Sequence, residues 1–304
     1  MQRRFFCGVV LAVLGTGLGT TPSTAQRDFS NVEIRTIPLR GGVYMLMGSG
    51  GNIGVSVGED GPFVVDDQYA GLTEKILAAI ASITDGSVRF VLNTHWHGDH
   101  VGGNENLGQA GAMIVAHENV RKRLNPEEFR EVMGNTQQAP PDALPVVTFT
   151  DGVTFYWNGE KMRAFHVPHA HTDGDAIIHY TDANVIHMGD TFFNGSYPFI
   201  DVDSGGDVDG MIQAAGAVLE IVNSETQIIP GHGELATPDD LREYRAMLVT
   251  VRDRIQVMVN DGMSVEEIVA ARPTRDLDAE WGPEGWFVRG DRMAELTARS
   301  LIER

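Results

Sequence analysis

The sequence predicts an α/β or α+β fold with mixed β-sheets, and its two strand-rich halves suggest four layers, with two sheets inside and helices outside. Three observations predict it. Short apolar runs bounded by turn residues fill two successive parts of the chain, residues 43–92 and 146–188. Each part is accompanied by segments with apolar residues at helical spacing. Histidine and aspartate stand in small-residue turns at the ends of several apolar runs, where open α/β sheets place their ligands.

The 304 residues allow a sizeable core. Arg3 and Arg4, an apolar stretch over residues 5–18, and Ser23-Thr24-Ala25 read as a secretory signal peptide over residues 1–25. The apolar run is short for a span of about 20 residues. The chain is therefore expected to be periplasmic or secreted, with no stable membrane anchor once the signal is removed. The single cysteine, Cys7, falls in that stretch, so residues 26–304 have no thiol or disulfide. The formal charge of −19 repels nucleic-acid phosphates and anionic membranes. That disfavours a nuclease. The expected partner is a small-molecule substrate, with no nucleic acid.

Residues 26–304 read as one domain, closed by carboxy-terminal helices over 240–304. Residues 28–38 read as an exposed lead-in. Strands are expected at 43–47, 53–57 and 63–66, the last two joined by Glu59-Asp60-Gly61. Leu72, Ile76, Leu77, Ile80 and Ile83 recur at helical spacing. Residues 88–93 and 113–116 read as strands, and 117–124 as a helix. Residues 125–145 are polar, contain prolines and show no period. A connection this long is uncommon unless functional or mobile, and it reads as a flap beside the site or as a plain surface insertion. A second strand set is expected at 146–149, 153–157, 162–167, 176–180 and 184–188, then a helix at 208–222 and a strand at 227–229. A long helix over 238–260 has Thr237 as N-cap and Pro238 at its first position. Helices at 265–271 and 291–302 follow.

Thr94-His95-Trp96-His97-Gly98-Asp99-His100 is the densest group of metal-ligand types. His95 and His97 point the same way in extended backbone. Asp99 and His100 follow a glycine and can turn toward a second point, so the spacing suggests two metal sites side by side. Three further strand ends carry ligand types: His169, His171 and Asp173 in one turn, Asp190 after Gly189, and His232 between Gly231 and Gly233.

The series His-x-His-x-Asp-His, His-Thr, Gly-Asp and Gly-His-Gly resembles the metallo-β-lactamase superfamily over residues 40–235. The resemblance implies an α/β fold that is a four-layer αβ/βα sandwich with two mixed β-sheets, a dinuclear site at its edge, and a hydrolase holding two Zn2+ per chain. His95, His97 and His171 would bind the first ion, and Asp99, His100 and His232 the second. Asp190 would bridge them. A bridging hydroxide would attack an acyl carbon, with Asp99 steering it. Iron or manganese can use the same ligands. Asp66, in competition with Asp67, is expected to accept the free N–H of a ligand histidine. Thr172 either holds a ligand or only shapes its turn. His169 reads as a supporting or surface residue, His166, His179 and His187 as packing or ligand-supporting residues, and His117 has no assignment.

Aspartate at 190 departs from the familiar β-lactamases, which carry cysteine or serine there. Phe193 stands where many of them carry a substrate-binding lysine and some lactonases a tyrosine. Phe193 and Tyr197 are expected to line the substrate pocket, with Phe192 and Phe199 completing an aromatic wall. A β-lactam-type cyclic amide is the leading substrate expectation, ahead of a lactone, ester or thioester. The reading of another class is a mononuclear iron oxidoreductase like the persulfide dioxygenases.

Overall fold

The structure is a computed structural model, and it describes residues 28–125 and 139–303. The expected signal peptide and residues 126–138 of the expected flap lie outside them. Residues 28–31 form a turn in which Ser30 N donates to Asp28 Oδ1. From Val32 onward the chain is one compact unit.

The first sheet runs in sequence order from β1 to β7: Arg35–Pro38, Val43–Met47, Ile53–Ser56, Phe63–Val65, Phe90–Leu92, Met113–His117 and Val147–Phe149. Pairing is antiparallel up to β4 and parallel from β4 to β7. The lead-in is thus partly a strand. Arg35–Pro38 pairs with β2 in register Arg35↔Met47, and its ends are exposed, which hides it from a search for apolar runs.

The second sheet contains β8 (Gly152–Trp157), β9 (Glu160–His166), β10 (Ala176–Tyr180), β11 (Val185–His187) and β12 (Gln227–Ile229), in the order β12-β11-β10-β9-β8. Only β11 and β12 are parallel. Among the described residues the α-helices are α1 (Thr73–Ala81), α2 (Gly98–Val101), α3 (Asn104–Gln109), α4 (Glu118–Leu124), α5 (Val208–Ile221), α6 (Pro238–Asn260), α7 (Val265–Ala271), α8 (Asp278–Trp281) and α9 (Gly290–Ile302).

Strand alternation sends neighbouring residues to opposite faces. Ile178, Val185 and Ile229 face a core shared with Met45, Phe63, Val65, Leu92 and Val115 of the first sheet. Their neighbours Ile177, Ile186 and Ile228 join a second core with Met211 and Ala215 of α5, Leu248 and Val251 of α6, and Met293 of α9. α6 begins where the sequence places it. Thr237 and Asp240 form a reciprocal capping box ahead of the long apolar stripe.

The parallel strands β4, β5 and β6 end on one edge of the sandwich, as do β11 and β12. Asp66, the 94–100 loop, Asp190 and His232 follow those ends directly. Crossing backbone ties hold the two sheets together there. Asn52 N donates to Gly231 O at 2.7 Å, and Asn52 Nδ2 donates to Pro230 O and Gly233 O, both at 2.9 Å.

Candidate metal centre

The 94–100 loop leaves β5 extended and turns at Gly98 into α2, a single helical turn holding Asp99 and His100. His95 and His97 lie before that turn and Asp99 and His100 within it, so the motif feeds two points. The loops carrying Asp190 and His232 run side by side. Phe193 bridges to His232 in parallel register, and Asn194 N donates to His232 O at 2.9 Å. Two glycines permit the approach. A Cβ on Gly231 would overlap Asp190 Oδ1, and one on Gly51 would overlap the His100 ring.

Two groups of ligand atoms result: His95, His97, His171 and Asp190 in one, Asp99, His100 and His232 in the other. In the first, His97 Nδ1 lies 3.1 Å from His95 Nε2 and 2.8 Å from His171 Nε2. Asp190 Oδ2 lies 3.5 Å from His171 Nε2 and 3.8 Å from His95 Nε2. In the second, Asp99 Oδ2 lies 3.4 Å from His232 Nε2. Asp190 Oδ1 reaches the second group, 3.1 Å from His100 Nε2 and 3.4 Å from His232 Nε2. One carboxylate therefore points an oxygen at each group.

The outer nitrogens of four rings are already engaged. His171 Nδ1 donates to Phe199 O at 2.8 Å, and His97 Nε2 to Asp201 Oδ2 at 2.8 Å. His100 Nδ1 donates to Asp66 Oδ2 at 2.7 Å. Thr94 Oγ1 donates to the same oxygen at 2.7 Å and so accepts from His95 Nδ1 at 3.0 Å. Asp66 thus fixes the tautomer of one histidine in each group. It sits with a left-handed φ of 61°, a strained backbone.

With these protons turned outward, the inward nitrogens are bare lone pairs facing one another. His100 Nε2 and Asp190 Oδ1 are buried with no hydrogen-bond partner. With the His100 proton on Nδ1 both are acceptors, and a cation between them would satisfy both. Nitrogens 2.0–2.1 Å from a tetrahedral ion are about 3.4 Å apart, close to the spacing within the first group. The residues fit a metal.

The charges agree. Burial, helped by the nearby His100 ring, pushes His95 well below the usual imidazole range. Burial pushes His171 down to about 4. Both rings are therefore neutral, the form that donates to a metal. Burial opposes charge on His100 too, but Asp190, Asp66 and Asp99 together pull it up. Burial likewise opposes charge on Asp190, yet His100 and His232 hold its carboxyl well below the usual range.

A family model described as the Metallo-beta-lactamase superfamily matches residues 47–250. The chain belongs to the metallo-beta-lactamase superfamily. Solved structures share its fold. The sec-alkylsulfatase Pisa1 from a Pseudomonas species matches at a TM-score of 0.70 and 14% identity, over 88% of this chain and 50% of that one. A metallo-beta-lactamase from Pontibacter korlensis matches at 0.58 and 16%, over 71% and 99%. Among curated relatives, the lactamase-like protein aptB of Emericella nidulans is 27% identical over 170 residues, 55% of this chain and 46% of that protein. A hydroxyacylglutathione hydrolase of Gloeobacter violaceus is 30% identical over 140 residues, 44% and 49%. The chain spans about half the length of these curated relatives.

On this superfamily fold, three expectations need correction. Phe193 does not line an open pocket. It is fully buried, stacked on the His232 ring at 5.2 Å and 13°, and serves as its backing. Tyr197 is also fully buried. Its hydroxyl donates to Asp278 Oδ1 at 3.1 Å, and its backbone O accepts from Trp286 Nε1 at 2.8 Å, so it anchors the carboxy-terminal segment. Thr172, by contrast, takes the second of its two expected roles and shapes its turn. Its N and Oγ1 donate to Asp175 at 2.8 and 2.7 Å, and burial pushes that carboxyl up to about 8 against them. Phe192 is buried in the second core, which leaves Phe199 alone of the expected wall.

Asp67 accepts from Gly103 N at 2.9 Å, so Asp66 takes the ligand histidine. His187 Nε2 meets Asn52 O at 3.0 Å and is structural. His117 caps α4 and stacks on His166 at 3.9 Å. Asp201 was missed, because it stands in an irregular loop with no motif around it.

Proposed function

We propose that this chain is a metal-dependent hydrolase that cleaves an acyl bond of a small molecule and holds two zinc ions. The observation that carries the reading is Asp190, whose two oxygens reach two separate groups of histidine and aspartate. Imidazole and carboxylate donors suit zinc. His95, His97, His171 and Asp190 would hold one ion, and Asp99, His100, His232 and Asp190 the other. Ions bound there supply Lewis acidity toward an acyl oxygen and lower the pKa of water.

The protein's own part is to fix lone pairs and to manage protons. Asp66, Thr94, Asp201 and the Phe199 carbonyl keep the ring protons on the outer nitrogens. Asp99 is the most exposed carboxylate of the centre, with 23% of its side chain open, and would orient an attacking water.

A β-lactam-type cyclic amide is the first substrate proposed. A thioester is the second, supported by relatives named hydroxyacylglutathione hydrolases at 26–33% identity. Lactones and esters share the same acyl chemistry. Export to the periplasm or the medium is part of the proposal and is checked by fractionation and mass measurement of the amino terminus.

The deciding experiment is hydrolysis by the purified, zinc-loaded chain of nitrocefin, a carbapenem, an acyl lactone and a thioester. Turnover of at least one is expected, abolished in His97→Ala and Asp190→Ala chains that keep wild-type circular dichroism. Wild-type rates in either variant would sink the reading.

A further inference from the structure

We propose that aromatic residues of the carboxy-terminal segment, Trp286 and Phe287 with Phe199, form the substrate-recognising wall of the centre and select a flat apolar group beside the reacting bond. This rests on the hydrolase reading above and names the side of the substrate that the site reads.

The centre opens where its ligand residues are exposed. His97, His232 and Asp99 have 19%, 17% and 23% of their side chains open. His95, His100 and His171 have 1% or less. The opening thus lies between His97 of one group and His232 of the other.

A continuous series of rings spans that interval. Phe199 lies 6.0 Å from the His97 ring. Phe287 lies 5.8 Å from Phe199, and Trp286 lies 4.8 Å from Phe287. Trp286 returns to His232 at 5.6 Å. The series starts on one metal group and ends on the other.

Its middle member, Phe287, is 63% exposed. A single exposed phenylalanine is ordinary. This one is held between two other rings, and the arm carrying it is fastened below. Trp286 Nε1 donates to Tyr197 O, and Tyr197 N donates to Trp281 O at 2.6 Å. A fixed, solvent-facing ring beside a polar centre is a surface for another flat ring, which packs at 4.5–7 Å between centroids.

The charges point the same way. Among the described residues, no lysine or arginine pairs with any of the seven ligand residues, and the carboxylates of Asp99 and Asp201, 23% and 12% open, stand beside His232 and His97. An uncharged aryl group finds three rings beside the opening.

The test is calorimetric titration of the zinc-loaded full chain with methylphosphonate and benzylphosphonate, which share one anionic head. Wild type is expected to bind the benzyl probe about tenfold more tightly, the scale of apolar pocket discrimination. Phe287→Ala should bring that ratio close to one, and Phe287→Tyr should restore it. Tyr156→Ala, at a side chain 77% exposed on β8, should keep the wild-type ratio. Equal affinities in wild type, or a full ratio in Phe287→Ala, overturn the proposal. The kcat/KM ratio for benzylpenicillin over 6-aminopenicillanic acid gives a second readout with the same expected pattern. Absence of all hydrolysis would remove the hydrolase reading, while the calorimetric ratio would still decide the wall.

Discussion

Asp66→Asn tests how the two metal groups are coupled. The Asp66 carboxylate takes three donors within the buried edge: Thr94 N on Oδ1, and Thr94 Oγ1 and His100 Nδ1 on Oδ2, each at 2.7 Å. Asparagine has the same size and tolerates the left-handed backbone that Asp66 adopts. Its amide nitrogen must occupy one of the two positions. At Oδ2 it faces the His100 N–H, and the ring escapes only by moving its proton to Nε2, the atom that faces the second group. At Oδ1 it faces the Thr94 backbone N–H. Either arrangement leaves a buried donor unmatched, which costs about 1–3 kcal/mol. Where the cost falls on His100, metal affinity should drop roughly 10–100-fold. The assay is competition with a chromophoric chelator on wild type and Asp66→Asn, beside thermal unfolding of the zinc-free chains. Affinity within twofold of wild type would refute the role given to Asp66.

Two further outcomes follow from the supporting shell. Phe193→Ala removes the ring stacked on His232 and opens a cavity in the second core. It should cost about 3–5 kcal/mol, lower Tm by roughly 10 °C, and weaken binding at the second group; calorimetry showing an unchanged Tm would contradict it. Stability should also fall in acid through His117. Burial, and then His166 stacked beside it, hold His117 down to about 4, below its ordinary value of 6.5. The unfolded chain therefore binds more protons between those values, and the stability present above pH 6.5 is lost as the pH falls toward 4. Urea unfolding at several pH values should show that slope, reduced in His117→Gln; identical slopes would count against it.

Much of the fold was legible because its signals are local. α6 was readable to its first residue from Thr237 and Pro238, and the structure adds Asp240 to that start signal. The ligand-type residues were readable because histidines and aspartates crowd into small-residue turns after apolar runs. β1 was not, because a sheet edge needs few apolar residues. Thr172 carried an unused clue. Its Thr-x-x-Asp spacing to Asp175 is that of a side chain closing on the backbone three residues back. Phe193 and Tyr197 show the limit of spacing in a loop: nothing local says whether an aromatic side chain turns to the mouth or to the core. Asp201, Trp286 and Phe287 reach the centre only through tertiary folding, from segments with no metal-ligand spacing.

The most direct measurement is the metal content of the purified full chain, by mass spectrometry of the elements, together with that of Asp190→Ala. About two zinc ions per wild-type chain are expected, with a large loss in the variant, because the Asp190 carboxylate serves both groups. One iron per chain, or two zinc ions retained by Asp190→Ala, would contradict a dinuclear zinc centre joined through Asp190.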